Sequence, residues 1–126
     1  SSNIFIHPPV PRNDVQTVLV ESDCNLFHLL DIGSALHYGI SPNKLIEYLM
    51  SGKPLVYAMP FRWDLIETAN IGYSARSGDV DSLCSEMMAM LTTPYEKRKQ
   101  MGSNARALCT HFDVRSVVDR FLKVLP

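Results

Sequence analysis

Apolar residues form short continuous runs in some parts of the chain and recur at helical spacing in others. Four runs predict buried strands, at residues 3–7, 24–30, 54–59 and, with a weaker pattern, 72–75. Helical spacing follows the first three runs and predicts helices that begin near Asn13, Ser41 and Arg62. Strands and helices therefore alternate over residues 3–75.

This alternation favours an α/β fold. Right-handed βαβ units would place the strands in a parallel Rossmann-like sheet of about four strands, with flanking helices and a helical C-terminus. In such sheets ligands bind beyond the carboxyl ends of the strands, and the loop of residues 31–43 leaves the predicted strand 24–30 at that end. We interpret residues 1–126 as a single domain, since no linker or internal repeat interrupts the pattern.

Three consecutive helical patterns follow residue 78. The first has Asp79 as its predicted N-cap, the second begins at Pro94, and the third follows Asp113. Apolar spacing is carried in the first by Val80, Leu83, Met87 and Leu91, and in the third by Val114, Val117, Val118, Phe121, Leu122 and Leu125. The third pattern is the most regular in the sequence and predicts a terminal helix that is docked on the core.

The helix near Ser41 also carries candidate chemistry. Ser41 is a suitable N-cap, Pro42 fits the first turn, and Gly52 fits the position just after the end. The free amides and the positive dipole end of such a helix suit a phosphate, to which Lys44 would add a mobile cation. Glu47, one turn further on, can accept hydrogen bonds from sugar hydroxyls. Together these features predict a nucleotide-sugar site.

The string YGISPNKLIEYLMSGKPLVYA, residues 38–58, resembles the nucleotide-sugar-binding motif in the C-terminal domain of GT-B glycosyltransferases of family four, in the branch with an S-P-N-K helix start. The resemblance implies that Glu47 holds the ribose and that Lys44 is the catalytic cation. It places the donor diphosphate on Ser41, Pro42, Asn43, Lys44 and Leu45. The family's first motif glutamate would fall at Gly39, so that carboxylate is missing here.

The resemblance implies further contacts and a reaction. Val10, His37, Tyr38, Gly39 and Ile40 become candidates for contacts with the base or the sugar. The expected reaction is retaining transfer from a nucleotide-diphosphate sugar, with a UDP-sugar favoured, in polysaccharide or glycan biosynthesis, with no metal and no further cofactor. The acceptor, a glycan or a lipid-linked sugar, would bind an N-terminal domain that is absent from this chain. The chain would then be the donor-binding half of the enzyme, inactive by itself.

Composition limits the other function classes. A formal net charge of −1 gives no electrostatic footprint for nucleic acid. Cys24, Cys84 and Cys109 lack metal-ligand or CxxC spacing and are interpreted as reduced core thiols in a cytoplasmic protein. No apolar run is long enough to span a bilayer, which leaves only peripheral contact with the inner face of a membrane.

Two alternatives stay open from the sequence. The first is a GT-B nucleotide-sugar epimerase or phosphorylase, which would share the fold but not the chemistry. The second is a non-catalytic interaction module that forms a homodimer through an uncovered sheet edge.

Overall fold

A computed structural model describes residues 3–31, 33, 43–60 and 64–124, apart from the side chains of residues 64 and 65. The strands are β1 (Asn25–His28), β2 (Leu55–Met59) and β3 (Gly72–Arg76). The helices are α1 (Val15–Glu21), α2 (Asn43–Met50), α3 (Asp64–Thr68), α4 (Val80–Thr92), α5 (Tyr95–Cys109) and α6 (Val114–Leu122). Single 3-10 turns precede α1, at Arg12–Asp14, and α6, at Thr110–Phe112.

The strands form a parallel sheet in the order β1-β2-β3. Asn25 lies opposite Leu55, and Leu55 lies opposite Gly72, so the three strands begin at the same level. Helices α2 and α3 are the connections between successive strands, and α4 follows β3. The predicted α/β class, with a parallel Rossmann-like sheet and flanking helices, is confirmed.

Alternating residues of β2 supply the two faces of the sheet. Leu55 and Tyr57 belong to the larger core cluster, which α2, α3 and α5 complete with Leu45, Leu49, Ile66, Ala105 and Leu108. Val56 points the other way and packs with Met90 of α4 and Met101 of α5. Because both faces of β2 are covered, its residues read as a continuous apolar run rather than as an alternation.

Helix α5 closes the amino end of the sheet. Its Gly102 packs against the backbone of Gly52, just before β2, and the side-chain amide of Asn104 donates to the Asn70 carbonyl, just before β3, at 3.0 Å. A buried polar group supports the same end, since the Asn25 side-chain amide donates to the Leu19 carbonyl at 3.2 Å and to Ser51 Oγ at 3.1 Å. The carboxyl end of the strands carries no such helix among the described residues.

The first predicted strand is wrong. Residues 3–7 form no strand, and the apolar side chains of Ile4, Phe5 and Ile6 are 70–95% exposed. The described sheet has three strands rather than about four, and in it β1 pairs only with β2. The apolar run at 3–7 indicated burial, but a local pattern does not specify a pairing partner.

The helices after residue 78 form near the predicted positions, but two predicted faces are wrong. Asp79 caps α4 as expected, with its carboxylate accepting from the Ser82 amide at 2.8 Å. The side chains of Val80, Met87, Met88 and Leu91 are nevertheless exposed, and Met90 is the buried residue of α4. Helix α6 has no buried residue, so it is not the docked terminal helix that its periodicity predicted. Cys84 is exposed rather than a core thiol.

Candidate functional site

The N-terminus of α2 lies on the side of the sheet where ligands bind in α/β proteins. The chain leaves β1 at its carboxyl end and enters β2 at its amino end, so α2 runs antiparallel to the two strands that it joins. Asn43 therefore begins the helix toward the carboxyl edge, and Gly52 lies at the amino edge beneath α5. The carboxyl edge is the preferred place for a ligand in an open parallel sheet.

The described residues of α2 separate into a core side and a solvent side. Leu45 and Leu49 are almost fully buried, whereas Asn43 and Lys44 are exposed and Glu47 is half-buried. Because residues three apart share one side of a helix, Lys44 and Glu47 project from neighbouring positions on the solvent side. Leu45 can reach a ligand only through its backbone amide, since its side chain is part of the core.

The end of α2 shows why the helix has this length. Gly52 has a φ of +68°, in the left-handed region that favours glycine, and its amide donates to the Leu49 carbonyl at 3.2 Å. Ser51 is buried, and its hydroxyl donates to the Tyr48 carbonyl at 2.6 Å. These hydrogen bonds pair backbone carbonyls in the last turn of α2 and fix where the helix ends.

Helix α1 contacts α2 beside Glu47. Gln16 in the first turn of α1 donates from Nε2 to the Glu47 backbone carbonyl at 2.9 Å. The Glu47 carboxylate takes no part in this bond. Gln16 is not a residue that the sequence pattern predicts here, because a polar residue in the first turn of a helix carries no signal of a long-range contact. Val10 lies on the exposed segment that leads into the 3-10 turn before α1.

Several predicted site residues lie outside the described part of the chain. These are His37, Tyr38, Gly39, Ile40, Ser41 and Pro42. The described part of the predicted site therefore consists of Asn43, Lys44, Leu45 and Glu47 on α2, with Val10 on a separate segment.

A second charged group lies at the carboxyl edge, after β3. Arg76 Nη2 pairs with Asp79 Oδ2 at 2.7 Å, and Ser77 Oγ donates to the Leu29 carbonyl, just beyond β1, at 3.0 Å. The Ser82 amide bond, helped by Arg76, lowers the pKa of Asp79 below its usual value. This group borders a cavity of about 250 Å³ on the α4 face of the sheet, which His28, Ala58 and Leu83 also line. From the sequence, Asp79 was predicted only as the N-cap of α4.

Two of the cysteines are poor nucleophiles. Burial raises the pKa of the Cys24 thiol, and also that of the Cys109 thiol, so the reactive thiolate is disfavoured at neutral pH. Cys84 lies exposed on α4. Within residues 3–31, 43–60 and 66–124, no three His, Cys, Asp or Glu side chains are grouped so that they could share a metal ion.

None of the described helices combines the length and the apolar character needed to cross a bilayer. Comparisons with protein-family models, with curated proteins and with solved structures gave no match to this chain.

Proposed function

We propose that this chain is the donor-binding part of a glycosyltransferase, with a nucleotide-diphosphate sugar, a UDP-sugar in particular, as its donor. One observation carries the proposal: Lys44 is an exposed cation in the first turn of α2, whose N-terminus opens toward the carboxyl edge of a parallel sheet. The helix end and the ammonium group together suit a diphosphate. The S-P-N-K string adds the expectation that the diphosphate belongs to a nucleotide sugar.

In the proposed reaction the bond between the anomeric carbon and the diphosphate oxygen breaks, and its electron pair goes to that oxygen. Negative charge therefore develops on the diphosphate as it leaves. Lys44 and the amides of Asn43 and Leu45 would stabilise this charge, and such stabilisation is often the largest single contribution to catalysis. The oxygen of the acceptor hydroxyl forms the new bond to the anomeric carbon, with retention of its configuration, and its proton passes to the departing diphosphate oxygen.

Glu47 would hold the ribose while the diphosphate lies on Lys44. Glu47 is half-buried one turn after Lys44. Its carboxylate would therefore lie beside the end of the nucleotide that does not react. A carboxylate accepts hydrogen bonds from both ribose hydroxyls, and such contacts orient the donor without taking part in bond cleavage. Glu47 is therefore a binding residue, and Lys44 is the catalytic one.

Thermal unfolding of the whole chain with UDP or with uridine tests the assignment. UDP at about ten times its dissociation constant should raise the melting temperature by roughly 4 °C, while uridine, which has no diphosphate, should raise it less. Lys44→Ala should make the rise in melting temperature with UDP no larger than the rise with uridine. The reason is that a charge-assisted phosphate contact is worth roughly 1.5–3 kcal/mol. Lys123→Ala, an exposed lysine at the end of α6, is the matched control.

The same experiment separates the two roles on α2. Glu47→Ala should weaken the binding of UDP and the binding of uridine to the same extent, since both ligands carry the ribose. The proposal fails if UDP does not stabilise the wild-type chain, or if Lys44→Ala and Lys123→Ala respond to UDP equally.

A further inference from the structure

Charge is distributed unevenly along this chain. Residues 94–126 carry seven Lys and Arg against three Asp and Glu, a formal charge of +4. Residues 1–93 carry five Lys and Arg against ten Asp and Glu, which gives a formal charge of −5. The near-zero net charge therefore hides a basic segment, which forms α5 and α6, and an acidic remainder.

Helix α6 presents an apolar face that the described chain leaves uncovered. Val114, Val117, Val118, Phe121 and Leu122 are all exposed, Phe121 by 61%. At 100° per residue these five side chains cover an arc of roughly 140°, which is a compact stripe rather than scattered apolar residues. Arg115 and Arg120 stand at its two borders, and Asp119 lies within the polar face.

Arg120, on the polar side of α6, ties the helix to the turn that precedes it. Arg120 Nη2 donates to the His111 carbonyl in the 3-10 turn at 2.6 Å, and Arg120 Nε donates to the Ser116 carbonyl at 3.2 Å. Arg120 thus joins a border of the polar face to the preceding turn and to α6 itself, while the apolar stripe is exposed to solvent. A helix docked on the core would show the opposite arrangement.

A groove continues the apolar surface beyond the start of α6. It has a volume of about 450 Å³ and lies between α2, α5 and Val114. Ile46, Met50 and Phe112 give it an apolar lining, to which Arg106 adds a guanidinium group and Asp113 a carboxylate. Apolar surface therefore extends from α6 onto the body of the protein, with both signs of charge at its edge.

We propose that α6 docks on an anionic lipid bilayer. The apolar stripe would enter the boundary between headgroups and acyl chains, as amphipathic helices of this composition do. Arg115 and Arg120, at the borders, would lie level with the lipid phosphates, and Lys123 would add a third cation. The net charge around this surface favours a bilayer over a second copy of the chain. Arg106, Arg115, Arg120 and Lys123 outnumber Asp113 and Asp119 there, so two copies joined through α6 would bring like net charges together.

Sedimentation of the whole chain with vesicles tests the proposal. Vesicles of phosphatidylglycerol and phosphatidylcholine should carry the protein into the pellet, whereas vesicles of phosphatidylcholine alone should carry only a small part of it. Phe121→Ser should reduce partitioning onto the anionic vesicles about tenfold or more, because it removes a large apolar side chain that the bilayer would bury. Arg115→Ser should reduce it about fivefold, and about 1 M salt should weaken the wild-type interaction strongly.

Matched controls lie at the other end of the chain. Ile6→Ser removes an even more exposed apolar side chain, and Arg12→Ser removes an exposed cation from the acidic part, so neither should change partitioning. Since α6 has no buried residue, the variants should keep the wild-type melting temperature. Equal retention on both kinds of vesicle, equal effects of Phe121→Ser and Ile6→Ser, or a dimer in solution that Phe121→Ser dissociates would each overturn the proposal.

Discussion

Contact between two backbones depends on a single residue, Gly102 of α5. A Cβ atom at this position would lie 2.1 Å from the Gly52 carbonyl oxygen and 3.3 Å from the Cα of Lys53. Both groups belong to the rigid turn between α2 and β2, so neither can move without disturbing the end of α2. The absence of a side chain at Gly102 therefore allows α5 to close the amino end of the sheet.

We expect Gly102→Ala to destabilise the protein by about 1–3 kcal/mol, the usual cost of overpacking. Helix propensity alone predicts the opposite sign, because alanine is favoured over glycine in a helix by up to about 1 kcal/mol. Urea denaturation measures the difference in free energy of unfolding. Ser103→Ala, at the next and exposed position of α5, should change stability by less than about 0.5 kcal/mol. A more stable Gly102→Ala variant would contradict the close contact.

At the scale of elements, the helices differ in whether a side chain accepts a hydrogen bond from the free backbone amides of their first turn. Asp79 caps α4 through its side chain, whereas α5 follows Pro94 and α6 follows Asp113 without a side-chain cap. The pKa of Asp79 is lowered because its carboxylate accepts from the Ser82 amide and faces Arg76. A lowered folded-state pKa means that the charged cap contributes stability at neutral pH, which is lost as the pH falls through that pKa.

Asp79→Asn tests this pH dependence. Asparagine keeps a capping oxygen but has no charge, so the variant should be less stable than wild type at pH 7. The difference should begin to shrink as the pH falls below about 4, where a carboxyl of ordinary pKa titrates in the unfolded chain, and should be lost only below the lowered pKa of folded Asp79. Urea midpoints at the two pH values give the comparison. Asp81→Asn, in the same first turn, is the control, and a pH dependence as large as that of Asp79→Asn would argue against the cap.

Across the whole molecule, the core is concentrated on one face of the sheet. The larger cluster gathers residues from β1, β2, α2, α3 and α5, with Ile71 just before β3, and the second cluster is a small group around Val56. Apolar side chains of α4 and α6 remain at the surface instead. Apolar residues at helical spacing therefore have two different roles in this chain, and only some of them stabilise the fold.

A pair of substitutions distinguishes these roles. Leu49→Ala should cost about 2–5 kcal/mol, because Leu49 is fully buried in the larger cluster and a cavity would remain. Phe121→Ala removes a larger side chain but should cost less than about 0.5 kcal/mol, since Phe121 is exposed on α6. Chemical denaturation of both variants provides the measurement. Comparable losses would show that α6 packs on the core in solution.

Parts of the candidate site were predictable for the same local reasons as the helices. Lys44 and Leu45 are adjacent in sequence, and helical geometry alone sends one to solvent and the other to the core. The contact of Gln16 with α2 was not predictable, because it joins residues that are 31 positions apart. Arg76 at the carboxyl edge was missed too, since it reaches that edge only because β3 pairs with β2.

The sequence by itself determined the three strands of the described sheet, the helices around them, where α4 is capped, and where α2 ends. These features depend on the backbone preferences and hydrogen bonds of neighbouring residues, as Asp79 and Gly52 show. Only the tertiary structure decided which apolar surfaces are covered. Residues 3–7 and α6 have the patterns of buried elements, yet burial needs a partner surface, and the described chain supplies one to α2 but not to them.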